Sequence, residues 1–174
     1  MIAFGFPDEL FSEEAQKNTP DRLRRMMAEF TAWRDWELEP PKGVFEKPGY
    51  DDLVVLKDID FTSFCDHHLM QFSGTVSVAY LPNGWIVGLS KIPRIVKKFA
   101  SRPQLQEQLT DQIADYLMEK VPEVAGCMVV CSANHTCMSV RGVRSTGTTV
   151  TSAIRGKFRD DEGLKSEASR MLGL

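Results

Sequence analysis

Apolar and polar residues alternate along Gln71–Leu81, with Phe72, Gly74, Val76 and Val78 on one side, the period-two pattern of a half-buried strand. Leu53–Phe61 reads as a neighbouring strand. Pro82-Asn83-Gly84 makes a turn before the short apolar run Trp85–Leu89. Val124–Ala133 is mostly apolar over the length of a buried strand, and Thr148–Phe158 opens on β-branched residues that favour another. Helical spacing takes over elsewhere. Leu23, Met26, Met27, Phe30 and Trp33 share one helical face, expected to be core packing. Ahead of them Thr19-Pro20-Asp21 supplies a hydroxyl cap, a first-turn proline and an early acid. Lys91–Ala100 is a helix that tolerates Pro93 in its first turn. Pro103 opens another, striped by Leu105, Leu109, Ile113 and Leu117 up to Val121, and Gly163–Leu172 is a closing helix. Between Glu39 and Asp51 the prolines and glycines (Pro40, Pro41, Gly43, Pro48, Gly49) predict a loop. The order strand, strand, helix, helix, strand, strand is that of an α+β domain.

Composition adds bounds rather than detail. A chain of 174 residues, 43% hydrophobic and 26% charged, fits a single globular domain with a proper core. Met1–Leu10 lacks the basic and apolar stretches of a secretory signal, and no apolar run approaches the ~18 residues of a membrane span. A soluble, cytosolic protein without a membrane partner is expected. The net charge of −3 gives no reason to expect nucleic-acid binding. Basic residues are nonetheless grouped: Arg22, Arg24 and Arg25; Lys91, Arg94, Lys97, Lys98 and Arg102; Arg141 and Arg144. Such groups make either local anion pockets or solvated helix faces.

The candidate chemistry lies in the histidines and cysteines. All three histidines, His67, His68 and His135, fall within three residues of a cysteine, in Cys65-Asp66-His67-His68 and His135-Thr136-Cys137. Thiolate and imidazole are the donors that zinc prefers. Cys127 and Cys131 lie along one extended run, roughly 13 Å apart, too far for a mutual disulfide. They are expected as buried free thiols. Cys65 and His68 are spaced to grip one ion from a tight turn, with Cys137 as third ligand and a fourth position open, as in catalytic zinc sites. His67 and His135 would then sit beside the ion as proton carriers. A closed site of Cys65, His68, His135 and Cys137 is the structural alternative, and packed cysteines without metal a third. Gly88-Leu89-Ser90-Lys91 ahead of a helix, with Arg94, makes a phosphate seat without being a Walker loop. Glu107 and Gln106 begin the next helix; a carboxylate there can accept from guanine's N1–H and exocyclic amine, or be merely solvated.

Four blocks now carry a resemblance: Cys65-Asp66-His67-His68, Gly88 to Val96, Arg102 to Thr110 and His135 to Val143. In this order they resemble the GTP cyclohydrolase I family, and the likeness runs from about Thr19 to the C-terminus. It implies the tunnelling fold (T-fold), an antiparallel four-stranded sheet with two helices on one face. Residues 51–174 would form this core and 1–50 an N-terminal helical segment and loop, within one domain. It also implies a toroidal homodecamer with active sites at subunit interfaces.

By the same resemblance Cys65, His68 and Cys137 would hold one catalytic Zn2+ per subunit. Hydrolytic opening of the guanine ring at C8, loss of formate and ring closure would turn GTP into 7,8-dihydroneopterin triphosphate. His67 and His135 would relay protons and Ser90 would assist the ribose rearrangement. Gln106 and Glu107 would hold guanine. Lys91, Arg94 and Arg141, with Arg22 and Arg25 of another subunit, would bind the triphosphate. Asp66 stands where the family usually has glutamate, Gln71 replaces a common proline, and the segment before Thr19 is short beside many members. Two other readings are a different tunnelling-fold enzyme, such as a nitrile reductase, and a non-catalytic zinc-stabilised purine-binding protein. The downstream use, in folate, tetrahydrobiopterin or deazaguanine synthesis, is left open.

Overall fold

The structure, a computed structural model, describes residues 7–40 and 42–174. It divides into two compact units, one ending at Ala32 and one running from Trp33 to Leu174.

The first unit is dominated by helix α1 (Glu13–Phe30). Its start lies upstream of the expected Thr19: Ser12 is the cap, its hydroxyl oxygen accepting from Ala15 N–H at 3.2 Å, with Glu13 and Glu14 in the first turn. Pro20 therefore sits inside the helix, where it removes one backbone donor. Ion pairs and side-chain bonds run along the surface, among them Arg22–Glu14 and Asn18–Glu14. No residue of α1 is buried, and Met26 and Met27 are 42% and 40% exposed. Core packing was expected of that face; Leu23 and Phe30 are half-buried, whereas Met26 and Met27 are exposed.

The second unit is an α+β sandwich. Its strands are β1 (Val44–Glu46), β2 (Val54–Cys65), β3 (Gln71–Pro82), β4 (Trp85–Val87), β5 (Pro103–Gln104), β6 (Val124–His135) and β7 (Thr148–Gly156). Its helices are α2 (Lys91–Ala100), α3 (Gln106–Lys120), the single turn α4 (Thr136–Ser139) and α5 (Glu162–Leu172). The main sheet has the order β5-β2-β3-β6-β7, antiparallel except for the short parallel contact of β5 with β2.

Four of those strands are the expected ones; two features differ. Pro103 and Gln104 form the edge strand β5 instead of opening α3, because Gln104 is drawn inward: its amide donates to Phe99 O and Gln112 Oε1, both at 2.8 Å. The segment expected as loop contains β1, which pairs Val44 with Val87 of β4, both side chains 3% exposed.

Side chains of β3 and β6 alternate between two apolar layers. Val76, Val78, Tyr80, Cys127, Val129 and Cys131 join α2 and α3 on one face. Ala79, Met128 and Val130 join Phe158, Ala168 and Leu172 on the other, under α5. That explains why Val124–Ala133 is apolar almost without interruption. Asp161 caps α5 through a bond from Leu164 N–H, and Gly173 at φ 86° ends it. Among the described residues no helix is long and apolar enough to cross a membrane.

Candidate metal centre and purine cleft

Strand register brings the distant motifs to one end of the sheet. β2 ends at Cys65, which pairs with Gln104 of β5; Phe72, the second residue of β3, pairs with His135, the last residue of β6. The β2–β3 connection is tight. Leu69 N–H donates to Cys65 O and Cys65 N–H to Met70 O, both at 2.8 Å, and Leu69 takes φ 51° to close it. Asp66 N–H donates to Gln104 O at 3.0 Å, tying the turn to β5. After His135 the chain leaves the sheet and turns into α4, so Cys137 projects from a helical turn rather than from the strand.

The donor atoms of Cys65, His135 and Cys137 lie within 4.8 Å of one another, the group of three or more possible ligands found among the described residues. His68, expected as a ligand beside Cys65, places Nδ1 3.9 Å from Cys65 Sγ on the exposed turn, and the His67 ring stands edge-on to the His68 ring with centroids 6.1 Å apart. Cys65 is buried and Cys137 half-buried. Burial, and then the neighbouring Cys65 thiol, push the Cys137 thiol above its ordinary range, while Arg141 pulls it down. Two thiols this close cannot both ionise comfortably unless a cation lies between them, and the soft donor set suits zinc.

A cleft of about 220 Å³ surrounds the group, lined by Cys65, His67, His68, Glu107, His135 and Cys137 together with Gln104, Leu105, Gln106, Met138 and Thr149. Glu107 is exposed there. Gln106, expected to help hold guanine, has its side-chain amide engaged within the protein. It is 2% exposed, and its amide N–H groups are taken by Cys131 O at 3.1 Å and Thr149 O at 3.0 Å. Its Oε1 meets His135 Nε2 at 2.8 Å. The His135 ring also stacks on Phe72, centroids 4.4 Å apart and planes within 6°. Burial lowers the His135 pKa, opposed by the charge of Glu107.

The remaining predicted residues lie outside this lining. Ser90 and Lys91 stand at the start of α2, with Arg94 one turn on; Lys91 lines a separate cleft with Trp36, Glu37 and Lys42. Arg141 is exposed just beyond α4. Arg22 and Arg25 belong to α1 in the first unit, lining a concavity with Asn18, Asp21 and Arg24. Phe72 was missed as a site residue. Alternation alone marks it as a core position, and its stacking on His135 follows from strand register, which no local motif encodes.

The chain is similar to known proteins over most of its length. A family profile described as GTP cyclohydrolase I matches residues 7–173. This chain belongs to the GTP cyclohydrolase I family. The GTP cyclohydrolase 1 of Aquifex aeolicus is 47% identical over 161 residues, spanning 91% of this chain and 85% of that protein. That of Clostridium perfringens is 44% identical over 167 residues, covering 95% and 90%. Among solved structures, the archaeosine synthase QueF-Like in its apo form aligns with 19% identity and a TM-score of 0.44, over 58% of this chain and 92% of that one. The long elements follow the order β2-β3-α2-α3-β6-β7, the strand–strand–helix–helix–strand–strand order expected from the sequence.

Proposed function

We propose that this protein is a zinc-dependent GTP cyclohydrolase I, converting GTP and water into 7,8-dihydroneopterin triphosphate and formate. The observation that carries the reading is the meeting of two thiols, three imidazoles and the exposed Glu107 carboxylate around one cleft. Cys65, Cys137 and His68 would hold one zinc ion per subunit. The 3.9 Å between Cys65 Sγ and His68 Nδ1 is near the ~3.6 Å that two ligands of one tetrahedral ion take. His68 sits on an exposed turn and can rotate, whereas His135 is pinned by Phe72 and Gln106 and stays beside the ion. Zinc, when bound, supplies a Lewis acid and a water acidified to a pKa of ~7.

The chain's own groups do the rest. Glu107 accepts from guanine's N1–H and exocyclic amine, orienting C8 toward the metal. His67 and His135 carry protons to and from the opening ring and the ribose oxygen. Ser90 contacts the ribose during its rearrangement, and Lys91, Arg94 and Arg141 bind the triphosphate. A cleft of about 220 Å³ is smaller than the ~300–1,000 Å³ of most small-molecule sites. It suits the base end of a nucleotide whose phosphates meet residues of a second copy, Arg22 and Arg25 included. That favours a homo-oligomer, the toroidal decamer of the resemblance. We place the reaction in the cytoplasm, supplying pterin, folate or deazaguanine synthesis.

Zinc-loaded protein incubated with GTP is expected to release formate and, after oxidation, a fluorescent pterin; GTP binding without formate would leave only a purine-binding protein. Cys137→Ala and His68→Ala should lose zinc and turnover together, and His135→Ala should lose turnover while keeping zinc. Zinc retained in His68→Ala and lost in His135→Ala would transfer the ligand role to His135. Glu107→Ala should keep zinc and raise KM for GTP at least tenfold, roughly the effect of losing a hydrogen bond to a charged group. Light scattering reads the oligomeric state.

A further inference from the structure

We infer that Gln106 is a positioning residue that fixes the tautomer of His135, with the proton on Nε2 and the lone pair on Nδ1. The chemical role of that lone pair rests on the proposed function; the tautomer itself rests on hydrogen bonding alone.

The argument starts from groups that can only accept. Cys131 O and Thr149 O are backbone carbonyls, and both lie within 3.1 Å of one end of the Gln106 amide. That end must be the NH2, because an oxygen there would face two further oxygens with no hydrogen between them. The surrounding hydroxyls agree. Thr110 donates to the Gln106 backbone carbonyl at 2.8 Å, so it must accept from Thr151 in their 2.6 Å contact. Thr151 Oγ1 is thereby left as an acceptor, 3.3 Å from the same Gln106 nitrogen. The amide cannot flip without breaking several buried bonds.

Gln106 Oε1 is therefore the atom facing His135 Nε2, and it has no hydrogen to give. The 2.8 Å bond requires Nε2–H as donor. A neutral imidazole carries one ring proton, so Nδ1 is bare. Stacking on Phe72 holds the ring plane while the amide sets rotation within it. The result is an imidazole whose reactive nitrogen is chosen before substrate arrives, which spares the reaction a reorganisation step. Gln106 thus acts on the substrate only through His135, and recognition of the guanine edge falls to Glu107.

The test reads the tautomer directly. Nitrogen-15 NMR of zinc-loaded protein labelled at histidine should show His135 with a directly bonded hydrogen on Nε2 and none on Nδ1. A hydrogen on Nδ1 overturns the inference. Gln106→Met keeps the side-chain length without the acceptor. It should give a mixed His135 tautomer and lower kcat by about 10–100-fold, the usual cost of losing a partner that orients an imidazole, with KM for GTP little changed. A raised KM with kcat intact would instead make Gln106 a guanine contact. Should Gln106→Met fail to fold, the wild-type spectrum still decides. A protein with the expected tautomer but no formate release would remove the proposed function and leave the positioning role standing.

Discussion

Lys98, 9% exposed, donates to Glu37 Oε1 at 2.7 Å and to Arg34 O at 3.2 Å, while Tyr116 donates its hydroxyl to Glu37 Oε2 at 2.6 Å and accepts from Leu38 N–H at 2.7 Å. A lysine rarely goes this deep without such partners. The bonds from Lys98 and then Tyr116 hold the Glu37 carboxyl below its ordinary range. Its stabilising contribution is therefore present above the unfolded-state pKa and lost as pH falls through the lower folded value. Burial first, then Glu37, pushes the Tyr116 hydroxyl up to about 12, so its contribution is whole below pH ~10 and fades as pH climbs toward that value. Thermal melts of Glu37→Gln across pH should lose part of the acid limb seen in the parent. An unchanged acid limb would mean that the pair contributes nothing to pH-dependent stability. Little of this network was legible beforehand: Lys98 was grouped with its basic neighbours, since nothing local tells a buried lysine from a solvated one.

Elements defined by long periodic patterns were legible, and those set by single tertiary bonds were not. α2 begins and ends where spacing puts it, because its apolar stripe and its first-turn proline agree with each other. α1 starts six residues before the expected Thr19 cap. The Ser12-Glu13-Glu14 start was as visible as Thr19-Pro20-Asp21, and proline was read as a boundary when its cost is one missing donor. β2 and β6 run on past their apolar stretches to Cys65 and His135, since neighbouring strands keep supplying backbone partners there. Gly74 shows how tightly those neighbours sit: a Cβ there would lie 2.0 Å from Ser132 O and 2.6 Å from the Ala133 Cα. Both obstacles are backbone. Gly74→Ala is accordingly expected to cost about 1–3 kcal/mol, read by denaturant unfolding; a neutral result would mean that β3 and β6 separate more readily than their register implies.

For the whole molecule, the metal donors come from the end of β2 and from the junction of β6 with α4, two strands kept apart by β3. An ion bound there bridges the sheet across its central strand and binds only the folded chain. At a free zinc concentration ~1,000-fold above Kd, linkage adds about 4 kcal/mol. For a protein of this length that is worth on the order of 10 °C. Chelation should lower Tm by about that much, and Cys137→Ala should melt alike with and without chelator. The local motifs were readable because metal chemistry restricts residue type so severely. Their meeting was expected from the same chemistry, but the register across three strands that achieves it was not legible.

The cleft draws its walls from the α3 side of the sheet, where Cys65 and Phe72 are buried and Cys137 packs against the same layer. The opposite layer, Met128 and Val130 beneath Ala168 and Leu172, contributes none of the cleft's walls. Stability can therefore be altered beneath α5 without touching the walls of the cleft. Engineers wanting a hardier catalyst should repack beneath α5 first, because a substitution there reaches the purine's neighbourhood only through the thickness of the sheet.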